Sequence, residues 1–330
     1  MHELRKDPLL GRWVAVMSES KHPSHYDIFH ENSGETSCVL CLGREKETPP
    51  EITAISEGGK WLVRVIPNLS PVFQVEGELG RKGLGMYDRM NSIGANEIVI
   101  ESPEHSRQPE EMGTEQMLRI IKVYRNRVAD LEKDARLRYI LIFKDSGKGA
   151  GAVYTHPHSE VVATPVIPKG IKEELDGAKE YYAYKERCVF CDMMREELRL
   201  GERVIFETSD FIAFSPFAPR FPFEFWILPK RHTCAFQEIR DNEMENLGLV
   251  LTIMIKKMKK TLNNPPYNYV VHTVPNRVPR RDHWHTLGED FHWHIEVIPR
   301  LLRRSGFEWG SGFYILNTSP EDTARYLREA

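Results

Sequence analysis

The chain has 330 residues, and its 45 Lys and Arg against 48 Asp and Glu give a formal net charge of −3 with neutral histidines. A chain of this length predicts about two domains, and its near-neutral charge argues against a basic surface for nucleic acid. No segment approaches the ~18 apolar residues of a membrane helix, so we expect no membrane partner. The N-terminus lacks the apolar run of a secretory signal, and we therefore expect a cytoplasmic protein under reducing conditions.

Hydrophobic periodicity predicts the same order of elements in both halves of the chain. Apolar side chains at helical spacing indicate helices over residues 114–133 and 241–262, and a last short helix begins at Ser319. Mostly apolar runs predict strands over residues 96–101, 138–144, 223–228, 268–272 and 292–298. We therefore predict an α+β fold of two related units, each an antiparallel sheet with packed helices. The units span residues 1–170 and 171–330, and the boundary between them lies in the polar segment 169–186.

Cysteine spacing gives the first sharp chemical signal. Five cysteines occur, and four of them form two CxxC pairs, Cys38 with Cys41 and Cys188 with Cys191. Under reducing conditions such pairs are more often metal ligands or redox dithiols than disulfides. A redox CxxC normally opens a helix directly after a strand, whereas both pairs here follow polar segments. Zinc is the better interpretation, and each zinc site then needs two further ligands.

Histidine segments supply candidates for those ligands. Residues 156–160 and 292–296 both read HxHxE, and each is preceded by a CxxC pair and a single histidine, His105 or His232. The shared order indicates an internal repeat. In an extended strand side chains alternate, so His156, His158 and Glu160 are expected on one face. One imidazole can then complete a zinc site while the other faces a ligand, although a buried, hydrogen-bonded His158 remains the alternative.

A glycine-rich segment lies just before the first HxHxE motif. Residues 143–151 read FKDSGKGAG, with Gly147, Gly149 and Gly151 in alternation and Lys148 between them. Glycines allow backbone N–H groups to approach a phosphate closely, and a lysine adds positive charge. A plain turn between two strands is the alternative, but the nearby histidines favour a phosphate-binding loop.

The motifs together resemble a known family. CxxC, PEHS, FKDSGKGAGA followed by HPHS, a second CxxC and HWHIEVIPR occur in the order found in the galactose-1-phosphate uridylyltransferase branch of the histidine-triad superfamily. The segments DPLLGRWV, RVIPNLSPVF and GFEWGSGFYI are also similar to that branch, so the resemblance covers nearly the whole chain. The CxxC in the second half makes the chain most similar to the ADP-glucose phosphorylase type.

The resemblance implies two histidine-triad-like repeats, small-molecule partners and a ping-pong nucleotidyl transfer. A nucleotide sugar and a sugar phosphate, or phosphate, would be the substrates, and the protein would be a homodimer. His158 would attack the α-phosphorus, and Glu160 of the same motif completes the implied catalytic pair. About two zinc ions per chain are implied, one bound by Cys38, Cys41, His105 and His156 and the other by Cys188, Cys191, His232 and His292.

The same resemblance assigns residues to substrate binding. Asn68 matches a nucleoside contact, and Glu308 and Tyr314 match a tail segment that reaches a sugar-binding site. For Asn68 a simple turn is the alternative, and for the tail segment the alternative is interface packing. The implied phosphate-binding residues are Asp145, Gly147, Lys148, Gly149 and Gly151. His294, at the position equivalent to His158, is expected to shape a ligand site or bind a metal.

Several residues depart from the family pattern. Asp145 and Glu160 stand where the family has amides, and residues 19–23 read ESKHP where the family has phosphate-binding arginines. A carboxylate cannot donate a hydrogen bond to phosphate unless it is protonated. The acids are therefore protonated or paired with Lys144, Lys148, Arg280 or Arg281, or they bind a bridging cation, or the substrate differs. The alternatives to a nucleotidyltransferase are thus a repurposed or inactive nucleotide-binding protein, or a hydrolase or phosphorylase with a non-standard substrate.

Overall fold

The computed structural model describes residues 2–26, 38–278 and 284–330. The strands are β1 (Glu3–Lys6), β2 (Trp13–Val16), β3 (Thr53–Glu57), β4 (Lys60–Pro67), β5 (Lys82–Leu84), β6 (Tyr87–Arg89), β7 (Ala95–Ile100), β8 (Tyr139–Ser146), β9 (His158–Thr164), β10 (Val204–Glu207), β11 (Phe211–Phe214), β12 (Phe225–Pro229), β13 (Tyr267–His272), β14 (His294–Pro299) and β15 (Tyr314–Leu316). The helices are α1 (Pro109–Met112), α2 (Thr114–Leu131), α3 (Lys169–Lys185), α4 (Val189–Leu200), α5 (Asp241–Thr261), α6 (Leu287–Asp290), α7 (Gly306–Ser311) and α8 (Pro320–Glu329).

One large antiparallel sheet runs through both halves of the chain. Its ten strands follow the order β10-β11-β12-β14-β13-β8-β9-β7-β4-β3. A smaller sheet joins β1, β2 and β15, and β5 pairs with β6 as a hairpin. The predicted α+β fold with antiparallel sheets and packed helices is confirmed.

The internal repeat is visible in the element order. The first half runs β7, α2, β8, β9, and the second half runs β12, α5, β13, β14. Strands β8 and β13 pair with each other, and this pairing places Asn268 opposite Asp145. The two repeats therefore share a continuous sheet instead of packing as separate sheets.

Helices α2 and α5 cover one face of this sheet. Their apolar stripes bury Ile121 and Tyr124 on α2 and Leu247 and Met254 on α5. The helices approach closely at Gly248, where an added Cβ would lie 3.2 Å from the main-chain oxygen of Thr114. Truncating one of these buried aliphatic side chains to Ala would cost about 2–5 kcal/mol. The residues that alternate with these core positions along the strands, such as Tyr139 and Leu228, pack in a second buried cluster on the opposite face.

The polar segment 169–186 is helical over most of its length. It forms α3, which buries Ile171, Leu175 and Ala178 against the second repeat. Its apolar residues have helical spacing, but the many charged residues between them make the whole segment look polar in the sequence. Within the described residues, no helix is both long and apolar enough to cross a membrane.

Two predicted strands begin later than expected. Strand β12 begins at Phe225, because Phe223 has a left-handed backbone with φ of 63°. Strand β14 begins at His294, and β9 begins at the equivalent His158. In both repeats, therefore, the first histidine of the HxH motif precedes the strand and the second opens it.

Candidate active site and metal centres

The first group of metal-binding side chains comes from three separate segments. Cys38, Cys41, His105 and His156 bring their ligand atoms within 4.8 Å of one another. The Sγ atom of Cys41 lies 3.4 Å from Nδ1 of His105 and 3.7 Å from Nδ1 of His156. On the other side of the His156 ring, Nε2 lies 2.7 Å from the main-chain oxygen of Ser102. Since Nε2 donates there, Nδ1 keeps its lone pair towards the sulfurs, as a metal-binding histidine requires.

The second group repeats this arrangement in the other half of the chain. Cys188, Cys191, His232 and His292 also hold their ligand atoms within 4.8 Å of one another. Nδ1 of His232 and Nδ1 of His292 lie 3.3 Å and 3.5 Å from Sγ of Cys191. Their Nε2 atoms face main-chain oxygens of Gly288 and Pro229, each at 2.9 Å.

The second CxxC pair follows a polar segment, as the sequence shows, and it opens a helix. Cys188 is the N-cap of α4, and Cys191 lies in its first turn. The preceding element is helix α3 and not the strand that precedes a redox CxxC. Two thiols and two imidazoles in each group form a donor set that fits a four-coordinate zinc ion.

A third group of titratable side chains lies in the second repeat. Glu174, His272 and His294 are buried, with ligand atoms within 4.8 Å of one another. Nδ1 of His272 donates to Glu174 at 2.7 Å, and the His272 and His294 rings stack with centroids 4.6 Å apart. Burial alone lowers the pKa of His272, but the carboxylates of Glu174 and Glu296 outweigh burial and raise that pKa to about 10. His294 thus lies in a buried charged cluster.

His158 opens β9 and is buried, with a relative exposure of 3%. Its Nδ1 atom lies 2.8 Å from the main-chain oxygen of His156. The carbonyl can only accept, so Nδ1 carries the proton and Nε2 carries the free lone pair. Burial lowers the pKa of His158, which favours the neutral imidazole. The arrangement holds a nucleophilic nitrogen in a fixed orientation.

Glu160 lies two residues further along the same face of β9. Its Oε2 atom accepts hydrogen bonds from Nδ2 of Asn68 at 3.1 Å and from Nδ2 of Asn96 at 2.9 Å. The predicted ligand residue Asn68 is therefore brought to the site through Glu160. Asn96 was missed, because nothing in a strand sequence reveals which strand lies beside it. The two amides satisfy one oxygen of the carboxylate that replaces the family's amide.

Asp145 is held in a similar way by a residue of the second repeat. Nδ2 of Asn268 donates to Oδ1 of Asp145 at 2.5 Å and to the main-chain oxygen of Ala150 at 2.8 Å. Burial raises the pKa of Asp145, and the charges of His158, Arg300 and Lys144 oppose this rise. Asn268 was not predicted, since it belongs to the far half of the sequence.

The glycine-rich loop follows directly after Asp145. Gly147 and Gly151 adopt positive φ values of 82° and 100°, which favour glycine. A Cβ on Gly149 would lie 3.0 Å from the side chain of Pro266. The loop, which includes Lys148, thus needs its glycines to fit between Asp145 and the second repeat.

Lys144 does not reach the Asp145 carboxylate. Its side chain turns to the helix-covered face of the sheet, where it forms a buried ion pair with Glu101. Arg280 and Arg281, the other suggested partners, lie outside the described residues. The amide of Asn268 is the observed hydrogen-bond donor to Asp145.

The tail residues have mainly local contacts. Glu308 completes a capping box with Ser305 at the start of α7 and accepts from the main-chain N–H of Ile315 at 3.3 Å. Tyr314 lies in β15, with its ring centroid 5.8 Å from that of Phe221. The aromatic contact lies within this chain, and Glu308 contributes to the local stability of the tail, so a role of either residue in sugar binding stays a prediction.

Comparisons with known proteins agree with this geometry. The family model for the galactose-1-phosphate uridyl transferase N-terminal domain matches residues 2–168, and that for the C-terminal domain matches residues 174–322. The ADP-glucose phosphorylase of Arabidopsis thaliana is 35% identical over 99% of this chain and 92% of its own length. The galactose-1-phosphate uridylyltransferase of Thermotoga maritima is 28% identical over 100% of this chain and 98% of its own length.

Solved structures give the same answer. The ADP-glucose phosphorylase of Arabidopsis thaliana with bound ADP-glucose superposes with a TM-score of 0.85 at 34% identity, covering 100% of this chain and 99% of that one. A uridylyltransferase structure gives a TM-score of 0.77 at 27% identity, covering 100% and 98%. The sequence, the fold and the grouped cysteines and histidines therefore lead to one conclusion: this chain belongs to the galactose-1-phosphate uridyl transferase family of transferases and phosphorylases.

Proposed function

We propose that the protein transfers a nucleoside monophosphate from a nucleotide sugar to a phosphate-bearing acceptor through a nucleotidyl-histidine at His158. The observation that carries this proposal is the hydrogen bond from Nδ1 of His158 to the main-chain oxygen of His156, at 2.8 Å. It fixes the tautomer in which Nε2 is the nucleophile.

The chemistry proceeds in two balanced steps. First, the lone pair on Nε2 of His158 forms a bond to the α-phosphorus, the bond from that phosphorus to the bridging oxygen breaks, and the sugar 1-phosphate leaves with that electron pair. Second, an oxygen of the acceptor phosphate attacks the same phosphorus, and the P–N bond breaks to return the electron pair to Nε2. The Nδ1 proton stays on the ring throughout, where the His156 carbonyl stabilises the positive charge of the intermediate.

The two acids are compatible with this chemistry because amide groups partly satisfy them. Asn68 and Asn96 donate to Glu160, and Asn268 donates to Asp145. These hydrogen bonds disperse the negative charge next to the phosphates. The retained His158 and glycine-rich loop favour an active enzyme over a silent nucleotide-binding protein.

We favour inorganic phosphate as the acceptor, with a sugar 1-phosphate as the second candidate. The Arabidopsis ADP-glucose phosphorylase, at 35% identity, supports phosphorolysis. The Thermotoga uridylyltransferase, at 28% identity, supports the sugar phosphate. The two candidates differ only in the second step.

Two zinc ions per chain are part of the proposal. Cys38, Cys41, His105 and His156 would hold one, and Cys188, Cys191, His232 and His292 would hold the other. Bound zinc would cross-link distant segments of the chain. The first site would fix His156, whose main-chain oxygen orients the nucleophile. A homodimer and a cytoplasmic location remain predictions from the sequence.

The deciding experiment is an intact mass of the protein after brief incubation with ADP-glucose, UDP-glucose or GDP-glucose, quenched at alkaline pH. A mass gain equal to one nucleotidyl group identifies the base. The gain should vanish in His158→Ala and persist in His25→Ala, a matched change at an exposed histidine. Adduct formation by His158→Ala would contradict the assignment of the nucleophile. No adduct in the folded wild-type protein with any of the three would contradict covalent transfer of these nucleotides.

A further inference from the structure

A cluster of arginines lies where β14 ends, close to the glycine-rich loop. Arg300 follows β14, and its main-chain N–H donates to the main-chain oxygen of Pro266 at 2.8 Å. Pro266 in turn packs against Gly147 and Gly149. The charges of Arg300 and Asp145 lie close enough to act on each other's pKa. The Arg300 guanidinium therefore belongs to the surroundings of the candidate active site.

Aromatic rings hold this cluster in place. The guanidinium carbon of Arg300 lies 5.5 Å from the centroid of Phe221, and that of Arg304 lies 5.2 Å from it. Arg304 also lies 5.1 Å from the ring centroid of Trp309 and 5.2 Å from that of Tyr314. Such contacts orient a guanidinium without neutralising it. The two positive charges are thus fixed near each other and remain available.

Ion pairs with carboxylates distinguish two neighbouring arginines from Arg300 and Arg304. Arg220 forms an ion pair with Glu296, and Arg12 forms one with Asp7 at 2.6 Å. In the part of the chain that the structure describes, neither Arg300 nor Arg304 has an ion pair with a carboxylate. Burial and the adjacent Arg304 lower the pKa of Arg300. Repulsion between two fixed, exposed guanidinium groups is relieved when an anion binds between them.

The N-terminal segment gives a second reason to look for an anion site here. The residues at positions 19–21 are Glu, Ser and Lys, so this segment contributes no arginine to a phosphate site. Arg300 and Arg304 carry two guanidinium groups in the segment that follows β14. A planar guanidinium can bind a phosphate through two parallel hydrogen bonds.

We propose that Arg300 and Arg304 form the binding site for the phosphate group that is not transferred. This identification of the phosphate rests on the proposed function. In the first step the group is the sugar-linked phosphate of the donor, and in the second step it is the acceptor phosphate. The two phosphates bind at the same place, because the transferred phosphorus bonds to each of them on the side away from His158. The ligand class is a terminal phosphate or a phosphate monoester next to a nucleotide.

The test compares nucleoside diphosphates with monophosphates by calorimetry, using ADP with AMP and UDP with UMP. The Arg300→Gln/Arg304→Gln variant should lose about tenfold or more in affinity for the diphosphate, while the monophosphate affinity changes less than about twofold. Arg303→Gln is the matched control, since Arg303 is exposed in the same segment and has no ring contact or ion pair in the structure as described. Lysines at both positions should restore part of the lost affinity.

Three outcomes would overturn the proposal. These are an equal loss for diphosphate and monophosphate, no loss for either, or wild-type protein that binds none of the four nucleotides. Failure of the proposed function would give a different result. Wild-type protein would then form no covalent adduct, while its affinity for the diphosphate would still depend on Arg300 and Arg304. Thermal melting of each variant checks that these exposed changes leave the fold intact.

Discussion

The ammonium group of Lys144 donates a hydrogen bond to the main-chain oxygen of His158 at 3.1 Å. The same ammonium pairs with Glu101, which accepts from the hydroxyl of Tyr124 at 3.0 Å. Tyr124 also bonds the hydroxyl of Ser159 at 2.6 Å. A buried polar network on the helix-covered face thus holds the backbone of His158, while the His158 imidazole points to the opposite face.

Breaking this network should separate stability from activity. Lys144→Met leaves the Glu101 carboxylate buried without its cation, and we expect a loss of about 3–5 kcal/mol in the free energy of unfolding. The double variant Lys144→Met/Glu101→Leu removes both charges, and most of that loss should be regained. Adduct formation should stay slower than in wild type, because the His158 carbonyl has lost its donor. Urea unfolding and the rate of adduct formation measure the two effects.

The control for this experiment is Lys122→Met, at an exposed lysine of α2. It should change neither stability nor rate. A single Lys144→Met variant as stable as wild type would show that the buried pair is not needed to satisfy Glu101.

Metal content should respond to each cysteine pair separately. Elemental analysis of the wild-type protein should give about two zinc ions per chain. Cys38→Ser and Cys188→Ser should each lose one, because each removes a ligand from one group. Cys234→Ser is the matched control at a buried cysteine outside both groups, and it should keep both ions. Retention of both ions in Cys38→Ser would refute the first site.

Nucleotide-sugar binding should weaken as the pH rises through the pKa of Asp145. Burial raises this pKa, so the neutral acid persists to higher pH than for an exposed aspartate. An anionic ligand nearby favours the neutral form further, so the complex holds more protons than the free protein. Affinity is then highest on the acidic side and falls as the carboxyl ionises.

Titration of UDP-glucose or ADP-glucose binding against pH checks this prediction, since their phosphates carry no titrating proton near neutral pH. Asp145→Asn keeps the shape and removes the charge change, so its profile should be flatter and its affinity at high pH greater. Identical profiles for the two proteins would mean that Asp145 does not sense the ligand.

Glu160→Gln should improve the binding of nucleotide sugars. The variant removes one negative charge near His158 and supplies an amide donor, while its oxygen can still accept from Asn68 or Asn96. We expect a gain of about tenfold or more in affinity, the size of one hydrogen bond to a charged group. Glu160→Ala leaves both asparagine amides without their acceptor, and it should lower stability by about 1–3 kcal/mol. Calorimetry and urea unfolding measure these effects, and weaker binding by Glu160→Gln would contradict the reasoning.

Local patterns explain why part of this site could be predicted from the sequence. The cysteine pairs and the HxH motifs recur in the same order, so both Cys/Cys/His/His groups could be proposed before their ligand atoms were seen together. His156 and His158 are separated by one residue, so the motif itself brings them close together, although only His158 lies in β9.

Cross-strand partners could not be predicted in the same way. Asn96 reaches Glu160 because β7 pairs with β9, and Asn268 reaches Asp145 because β8 pairs with β13. A shift of one residue in either register would turn these amides to the other face. The register depends on the packing of the whole sheet, and no local pattern in the sequence encodes it. Glu174 was missed for a related reason, since its helix resembles a polar linker.

The pairing of β8 with β13 also bears on why the two repeats occur in one polypeptide. Cutting the chain between them would leave each half with an open sheet edge, lined by residues such as Ile142 and Val271 that pair across the junction. Unpaired apolar edges add strands from other molecules and promote self-association. Because the two repeats are covalently linked, β8 and β13 stay close to each other from synthesis onward. Each repeat thereby protects the open sheet edge of the other from aggregation.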